Sequence, residues 1–176
     1  MGLGNPGQRY CHTRHNLGFD VVDALAERYR IAVRQREAEA LCGTGQIAGR
    51  SVLCVKPQTY MNASGQSVAP LVQRYLRQGE LLIVVHDDID LPVGKLKLKR
   101  QGGDAGHLGI RSLIACLTSD AFWRIRMGVG RPPRKEDIVD YVLSPFTDEE
   151  AEARQTMIAQ AVTRVETLLA APGQPS

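Results

Sequence analysis

Residues 81–88 read LLIVVHDD, five apolar residues that end abruptly in a histidine and two aspartates. A short apolar run without alternation is typical of a parallel strand that is covered on both faces. In open α/β sheets, ligands and reacting groups gather just outside the carboxyl ends of such strands. The stretch therefore predicts a central strand of an α/β sheet and places Asp87 among the candidate functional residues.

The patterns on either side of this strand alternate between helix and strand. Apolar residues at helical spacing predict helices at 17–29, 68–76, 108–117 and 147–171, the last one opened by a capping box. Period-two alternation and short apolar runs predict further strands at 41–48, 51–56, 95–99 and 123–129. We therefore expect a single α/β domain over residues 1–176, with a mixed, mostly parallel, twisted β-sheet flanked by helices on both faces.

The composition is that of an ordinary globular protein: of 176 residues, 43% are apolar and 23% are charged. No apolar run is long enough to cross a bilayer, and the N-terminus lacks a signal-peptide pattern. The four cysteines and four histidines lack the spacing of a disulfide framework or a zinc site. We expect a cytoplasmic protein with buried, reduced thiols, no metal and no membrane contact.

The positive charge is concentrated in one segment. Residues 95–135 carry a net charge of +8, whereas residues 1–94 carry +1 and residues 136–176 carry −6. Alternation at 95–99 would place three lysine ammonium groups on one face of a strand. A cationic surface beside an acidic tail favours a polyanion such as nucleic acid as the partner. A solvated strand face with scattered counterions is the alternative.

A second informative stretch, residues 2–16, begins with the turn-forming sequence GLGNPG. Pro6 fixes its own φ, and Gly7 behind it can take the positive φ that a type II turn needs. The spacing Gly2-x-Gly4-x-x-Gly7 also fits the dinucleotide-binding fingerprint, which should follow a strand and open a helix. Here the next helical pattern begins well beyond the last glycine, so the sequence disfavours nucleotide binding.

Several polar side chains lie beyond predicted strand ends. Asn5, Asn62 and Asp87 each follow a predicted strand, and His15 lies in the loop after one, next to the amide of Asn16. We expect these groups to converge at one edge of the sheet. An imidazole can take up a proton near neutral pH, and a carboxylate behind it would fix its tautomer. The plainer alternatives are a structural histidine, a turn-capping aspartate and an N-capping Asn62.

Six motifs resemble, in the same order, those of bacterial peptidyl-tRNA hydrolases. They are GLGNPGQRYCHTRHN (2–16), TYMNxSG (59–65), HDDxDLPxG (86–94), GGxxGHxG (102–109), RIRMGVGRP (124–132) and YVL (141–143). The resemblance covers nearly the whole chain. It implies a monomeric esterase without metal or cofactor, which cuts the bond between a peptide's C-terminal carboxyl and the 3′ ribose of tRNA. Its substrate would be peptidyl-tRNA.

The resemblance also implies roles for individual residues. His15 resembles the general base that activates water, and Asp87 resembles the carboxylate that orients this base. Asn5 and Asn62 resemble the amides that hold the peptide end of the substrate and the reacting water. A placed imidazole supplies about 10²- to 10⁴-fold in rate, and an amide donor suits a carbonyl that becomes an oxyanion.

Other residues resemble the substrate-binding surface of the family. Two tyrosines, Tyr10 and Tyr60, resemble its aromatic wall. Three basic side chains resemble those that grip tRNA phosphates: Lys97, Lys99 and Arg126. His107 is expected beside the substrate site, at the start of a helix. His86 should point to the opposite side of its strand from Asp87, and we expect it to be structural.

Two features depart from the family pattern. Family members usually carry an apolar strand ahead of the first motif, and here Met1 stands where that strand would end, so we expect a misassigned start or a trimmed chain. Leu108 stands where the family carries an asparagine that contacts tRNA near the scissile end. A leucine cannot replace such hydrogen bonds, each worth roughly 0.5–1.5 kcal/mol. We therefore expect weaker or repositioned binding of the tRNA end.

The main alternative is a non-catalytic RNA-binding relative of the same fold, as among organellar splicing factors. Such a protein would keep the basic strand without needing a catalytic pair. The presence of both His15 and Asp87 favours the enzyme.

Overall fold

The computed structural model describes residues 1–171, in which groups of strands are separated by helices along the chain. The strands are β1 (Gln35–Glu37), β2 (Ala40–Ile47), β3 (Arg50–Pro57), β4 (Ile83–Asp88), β5 (Leu96–Lys99) and β6 (Trp123–Gly128). The α-helices are α1 (Leu17–Tyr29), α2 (Ser64–Tyr75), α3 (Leu108–Leu117), α4 (Ile138–Val142) and α5 (Ala151–Ala170). The predicted α/β class is confirmed, and α1 and α3 have the predicted bounds.

Strand pairing gives two three-stranded sheets, ordered β1-β2-β3 and β4-β6-β5, and residues 1–3 lie between them. The N–H of Gly2 donates to the carbonyl of Val55 in β3 at 3.0 Å, and the N–H of Leu3 donates to that of Val85 in β4 at 3.0 Å. Backbone hydrogen bonds therefore connect the two sheets. A cleft of about 790 Å³ lies beside Met1 and is lined in part by residues of β2, β3 and β4. The apolar strand that family members usually carry before residues 2–16 remains a prediction for this protein.

The sheet is mixed, as predicted, but the expected parallel pairing is present only in part. Of the four strand pairs in residues 1–171, only β4 with β6 is parallel, although the isolated bridge between Gly2 and Val85 is parallel too. A parallel pair needs a long crossover connection. Strands β2 and β3 are instead joined by the two-residue turn at 48–49, and β5 pairs antiparallel to β6 at the sheet edge. The alternation of lysine and leucine at 95–99 predicts a strand but not whether it pairs parallel or antiparallel to its neighbour.

Strand β4 is buried along its whole length because helices cover both faces of the sheet, as predicted. Ile83 and Val85 pack in a cluster with residues of α1 and α5, whereas Val84 packs with residues of α2 and α3. An apolar run without alternation is the pattern that such a two-sided strand requires. The strand continues through Asp88, so Asp87 lies within it rather than beyond its end.

The first two glycines of the N-terminal motif pack against α1. A Cβ on Gly2 would lie 1.9 Å from the carbonyl oxygen of Gly18, and one on Gly4 would lie 2.8 Å from the ring of Phe19. Helix α1 begins only at residue 17, so these glycines permit close packing and do not open a helix for a phosphate. Gly7 has the predicted positive φ of 101°, but its ψ of 150° is not that of a type II turn.

The cysteines are only partly in the predicted environment. Cys42 and Cys54 are buried, whereas Cys11 and Cys116 are exposed, so the expectation of buried thiols is wrong for two of the four. All four are free. Within residues 1–171, no helix combines the length and the apolar character needed to span a bilayer.

Candidate active site

A cleft of about 480 Å³ opens beside the carboxyl end of β4. Its walls come from the N-terminal loop, the turn after β3, the glycine-rich loop at 102–107 and α4. Ten of the predicted site residues line it: Asn5, Tyr10, His15, Tyr60, Asn62, Asp87, Lys99, His107, Leu108 and Arg126. Lys97 is the predicted site residue outside this lining. The convergence inferred from the sheet topology is therefore present.

His15 and Asp87 are in direct contact although 72 residues separate them along the chain. His15 lies in a 3₁₀ turn just before α1, and its Nδ1 is 2.9 Å from Oδ2 and 3.0 Å from Oδ1 of Asp87. An ionised carboxylate only accepts hydrogen bonds, so Nδ1 of His15 carries the proton and donates it. The lone pair of the neutral ring is thereby left on Nε2. With 13% of its side chain exposed, His15 can be reached by water in the cleft.

The environment keeps Asp87 ionised and His15 basic. Burial acts to raise the pKa of Asp87, which is only 2% exposed, but the electrostatic attraction and hydrogen bonds of His15 and His107 outweigh it and hold that pKa well below its usual range. For His15, burial acts to lower the pKa, and the attraction and hydrogen bond of Asp87 overcome it, so the pKa is raised above 6.5. Such a pKa suits a general base near neutral pH.

His107 occupies the N-cap position of α3 through its side chain. Its Nδ1 accepts hydrogen bonds from the N–H groups of Gly109 at 3.1 Å and Ile110 at 3.2 Å. Its Nε2 lies 3.0 Å from Oδ1 of Asp87. Both ring nitrogens are therefore engaged within the protein, and neither is free for a substrate. Asp87 is held between two histidines.

Asn5 is fixed by two neighbouring segments. Met61, in the turn after β3, donates its N–H to Oδ1 of Asn5 at 2.8 Å. Asn16 accepts the N–H of Asn5 on its side-chain oxygen at 2.9 Å and donates its amide to the carbonyl of Asn5 at 3.0 Å. The Nδ2 hydrogens of Asn5 remain for the cleft. Asn16, which the sequence offers as a second amide for chemistry, instead holds Asn5 in place.

Asn62 and two tyrosines lie at the surface of the cleft. Asn62 is exposed in a 3₁₀ turn, and Ala63 takes the N-cap position of α2, so the N-cap alternative for Asn62 is wrong. Tyr60 is 63% exposed, and Tyr10 is half-buried. Two phenol rings at one cleft offer apolar faces with polar tips, which suit a substrate of mixed character.

The basic residues fall into two groups. Lys99 and Arg126 line the cleft, and Nε of Arg126 donates to Asp88 at 2.6 Å. Lys97 is the register partner of Arg126 across β5 and β6 but is exposed outside the cleft lining. The cationic strand predicted from the alternation therefore extends from the cleft onto the adjoining surface.

Arg124 supports the site, although this role was not predicted from the sequence. It is buried in β6 and donates to the carbonyls of Gly103 at 2.7 Å and Gly102 at 2.5 Å. It thereby anchors the glycine-rich loop that leads to His107. Arg124 and Arg126 are two residues apart and so share one face of β6, and the placement of Arg126 at the cleft could therefore have pointed to Arg124 as well.

Part of the cleft is apolar. Leu108, the first residue of α3, is 48% exposed, and α4 contributes Ile138, Val139 and Val142 to the lining. Helix α4 was not predicted from the sequence, because five residues are too few for a helical period to show. The cleft thus combines polar and apolar walls.

His86 is buried, as its structural assignment predicts, and it also lines the cleft. Its Nδ1 donates to the carbonyl of Asp87 at 2.8 Å, and its ring centre is 4.8 Å from that of His107. Burial lowers the pKa of His86 to about 3. His86 is therefore neutral, and within the described residues its Nε2 acceptor has no partner.

His15, Asp87 and His107 come close enough to hold a metal ion, since their ligand atoms lie within 4.8 Å of one another. Sequence spacing could not reveal this cluster because three separate segments contribute to it. The donor set does not fit an ion, however. A histidine ligand must offer a lone pair, and Nε2 of His107 keeps its proton because Nδ1 accepts two backbone N–H groups. The three side chains fit a hydrogen-bonded triad instead.

Comparisons with known sequences give a consistent result. The sequence profile of the family described as Peptidyl-tRNA hydrolase matches residues 1–174. The chain is 50% identical over 153 residues to the peptidyl-tRNA hydrolase of Halalkalibacterium halodurans, an alignment that covers 87% of this chain and 83% of that protein. It is 47% identical over 171 residues to the peptidyl-tRNA hydrolase of Bacillus subtilis, covering 97% of this chain and 91% of that protein.

The fold agrees with the sequence comparisons. The crystal structure of peptidyl-tRNA hydrolase from Acinetobacter baumannii matches with a TM-score of 0.90 at 38% sequence identity, over 96% of this chain and 86% of that chain. Taken with the cleft and its ordered motifs, these likenesses show that the chain belongs to the peptidyl-tRNA hydrolase family.

Proposed function

We propose that this protein hydrolyses the ester bond between a peptide, or an N-acyl-aminoacyl group, and the 3′ ribose of tRNA, releasing free tRNA and peptide. The observation that carries the proposal is the hydrogen bond between His15 and Asp87 in the wall of the cleft. Family membership supplies the substrate, because the relatives are named for peptidyl-tRNA hydrolysis. Such an activity recycles tRNA from peptidyl-tRNA that left the ribosome early.

His15 is the general base of the proposed reaction. Its Nε2 takes a proton from a water molecule while the water oxygen attacks the ester carbonyl carbon. Asp87 stabilises the imidazolium that forms, because its carboxylate already accepts a hydrogen bond from the Nδ1–H group. The imidazolium then returns a proton to the ribose oxygen as the ester C–O bond breaks. A positioned base contributes about 10²- to 10⁴-fold, and an ester needs no covalent nucleophile.

Asn5 and Asn62 hold the peptide end of the substrate and the reacting water. Met61 fixes the amide of Asn5 so that its N–H donors remain available to a substrate carbonyl. Asn62, exposed on the neighbouring turn, offers both a donor and an acceptor without a charge. A donor aimed at a developing oxyanion is worth about 10²- to 10³-fold. Tyr10 and Tyr60 line the path of the substrate.

Lys97, Lys99 and Arg126 attract the phosphates of the tRNA acceptor end. Phosphate contacts supply affinity that does not depend on base sequence, as an enzyme for many tRNAs needs. Double-stranded RNA is read mainly through its shape and its backbone. Lys99 and Arg126 at the cleft and Lys97 beyond it extend this contact along β5 and β6.

The non-catalytic RNA-binding alternative is not supported by the comparisons, since the relatives are named as hydrolases. The proposed enzyme acts in the cytoplasm as a monomer, and it needs neither a metal nor a cofactor. The hydrogen-bonded cluster of His15, Asp87 and His107 supports the last point, because water activation there rests on an imidazole.

Release of the acyl group from N-acetylated aminoacyl-tRNA tests the proposal. We expect a strong preference for this substrate over free aminoacyl-tRNA, and we expect His15→Ala to be nearly inactive. His12→Ala is a matched control, because His12 is an exposed histidine of the same segment that pairs with Asp20 outside the cleft. Comparable release by His15→Ala and the wild type would refute the assignment of the base.

A further inference from the structure

The proton of His107 has a fixed position. Nδ1 accepts hydrogen bonds from the N–H groups of Gly109 and Ile110, at 3.1 and 3.2 Å, at the start of α3. A ring nitrogen that accepts from two backbone donors cannot itself carry a hydrogen. The neutral ring therefore bears its hydrogen on Nε2. Moving that hydrogen to Nδ1 would leave two backbone N–H groups of the first helical turn without their partner.

The fixed hydrogen of His107 is directed at Asp87. Nε2 lies 3.0 Å from Oδ1, the same oxygen that is 3.0 Å from Nδ1 of His15. The carboxylate thus has two imidazole donors on different segments, one before α1 and one at the start of α3. Only the ring of His15 has a nitrogen left for the reaction, since His107 uses both of its own.

No other group takes this role from His107. The other titratable and charged side chains near the cluster are His86, Asp88, Asp104, Arg111, Arg124 and Arg126, and Lys99, Tyr10 and Tyr60 also line the cleft. Asp88 accepts from Arg126 at 2.6 Å, and Asp104 accepts from Arg111 at 3.1 Å. Arg124 donates to carbonyls of the glycine-rich loop. His86 is neutral and donates to a backbone carbonyl. Within residues 1–171, the carboxylate of Asp87 accepts side-chain hydrogen bonds from His15 and His107 alone.

We propose that His107 is a positioning residue for the reaction: its N-capping bonds fix its proton on Nε2, and that proton holds Asp87 in place and shares its negative charge. This inference rests on the proposed function. A carboxylate with a single donor would bind the proton of His15 more strongly. By supplying a second donor, His107 keeps His15 from being trapped as an imidazolium, so that a larger fraction of the base is neutral at a given pH.

Two substitutions separate the two hydrogen bonds of His107. Asparagine is a good N-cap residue, so His107→Asn keeps an acceptor for the first turn of α3 but is too short to reach Asp87. Glutamine is longer, so His107→Gln keeps an amide N–H near the position of Nε2 but lacks the short acceptor of an N-cap. The pair tests the contact with Asp87 apart from the stability of the helix.

The measurement is the pH dependence of kcat/KM on N-acetyl-aminoacyl-tRNA, with melting temperatures as the check on folding. For His107→Asn we expect the midpoint of the acid limb to rise by about one pH unit, which corresponds to a roughly tenfold loss on that limb. The rates of variant and wild type should converge above both midpoints. For His107→Gln we expect a lower melting temperature and an unchanged midpoint.

NMR titration of His15 in both variants gives its pKa independently of turnover. An unchanged midpoint in His107→Asn, or a shift in His107→Gln as large as the one in His107→Asn, would overturn the proposal. If the positioning role is overturned, the proposed function still holds provided that His15→Ala abolishes hydrolysis and His12→Ala does not affect it. Failure of the positioning role and failure of the function are therefore distinguishable.

Discussion

Replacing Asp87 with asparagine would move the protons of the site while keeping its shape. The carboxylate accepts hydrogen bonds from Nδ1 of His15 and from Nε2 of His107. An asparagine has one carbonyl oxygen, and its NH₂ group only donates. Because the N-cap bonds keep the hydrogen of His107 on Nε2, the oxygen must face His107 and the NH₂ group must face His15.

That orientation forces His15 into its other tautomer. Nδ1 must then accept from the asparagine, so the hydrogen moves to Nε2, where the general base needs a lone pair. In serine proteases the equivalent Asp-to-Asn change costs about 10⁴-fold in kcat through the same tautomer change. We therefore expect Asp87→Asn to lose about 10³- to 10⁴-fold in kcat. KM should change little, because the surface of the cleft is preserved.

Single-turnover release from N-acetyl-aminoacyl-tRNA measures this loss. Asp20→Asn is the matched control, since Asp20 is a buried aspartate that pairs with His12 at 2.9 Å outside the cleft lining. It should keep wild-type turnover when rates are normalised to the folded fraction. A loss smaller than tenfold in Asp87→Asn would refute the tautomer reasoning.

The remaining predictions concern pH, substrate binding and metals. The base must be neutral and its pKa is raised, so the acid limb of kcat/KM should have its midpoint above 6.5; a midpoint below that value would contradict the pairing with Asp87. Leu108→Asn should lower the KM for the tRNA substrate and leave kcat unchanged, and an unchanged KM would count against Leu108 as a cause of weak binding. Lys97→Ala should weaken binding of all tRNAs alike and reduce the slope of log affinity against log salt by about 0.7–0.9; a new preference among tRNAs would argue against a phosphate contact. Treatment with EDTA should leave kcat unchanged, because the fixed proton on Nε2 of His107 blocks a metal ligand; a loss that a divalent cation restores would show the triad to be a metal site.

Helices could be predicted more closely than strand directions. The bounds of α1 follow from an apolar period that begins at Leu17 and ends at Tyr29. The capping box of Thr147 and Glu150 is present as predicted and leads through one 3₁₀ turn into α5. These signals are local, since each involves residues within a turn or two. The antiparallel direction of β5 depends on its pairing with β6, a strand that lies more than 20 residues further along the chain.

The contact between His15 and Asp87 could be predicted, but the contacts that support the site could not. The contact of His15 with Asp87 follows from placing both near the same end of a parallel strand. The bond from Met61 to Asn5 and the anchoring of the loop by Arg124 are tertiary contacts that leave no periodic pattern. The sequence predicts His107 at the start of a helix, but not the capping hydrogen bonds of its side chain, because histidine is not among the usual N-cap residues.

The position of the hydrogen on the His15 ring tests the central claim most directly. ¹⁵N NMR of the labelled imidazole, recorded at a pH above its midpoint, distinguishes a protonated ring nitrogen from one with a lone pair. We predict a hydrogen on Nδ1 and a lone pair on Nε2 in the wild type. A hydrogen on Nε2 would leave the cleft without a proton acceptor at this residue and would contradict His15 as the general base.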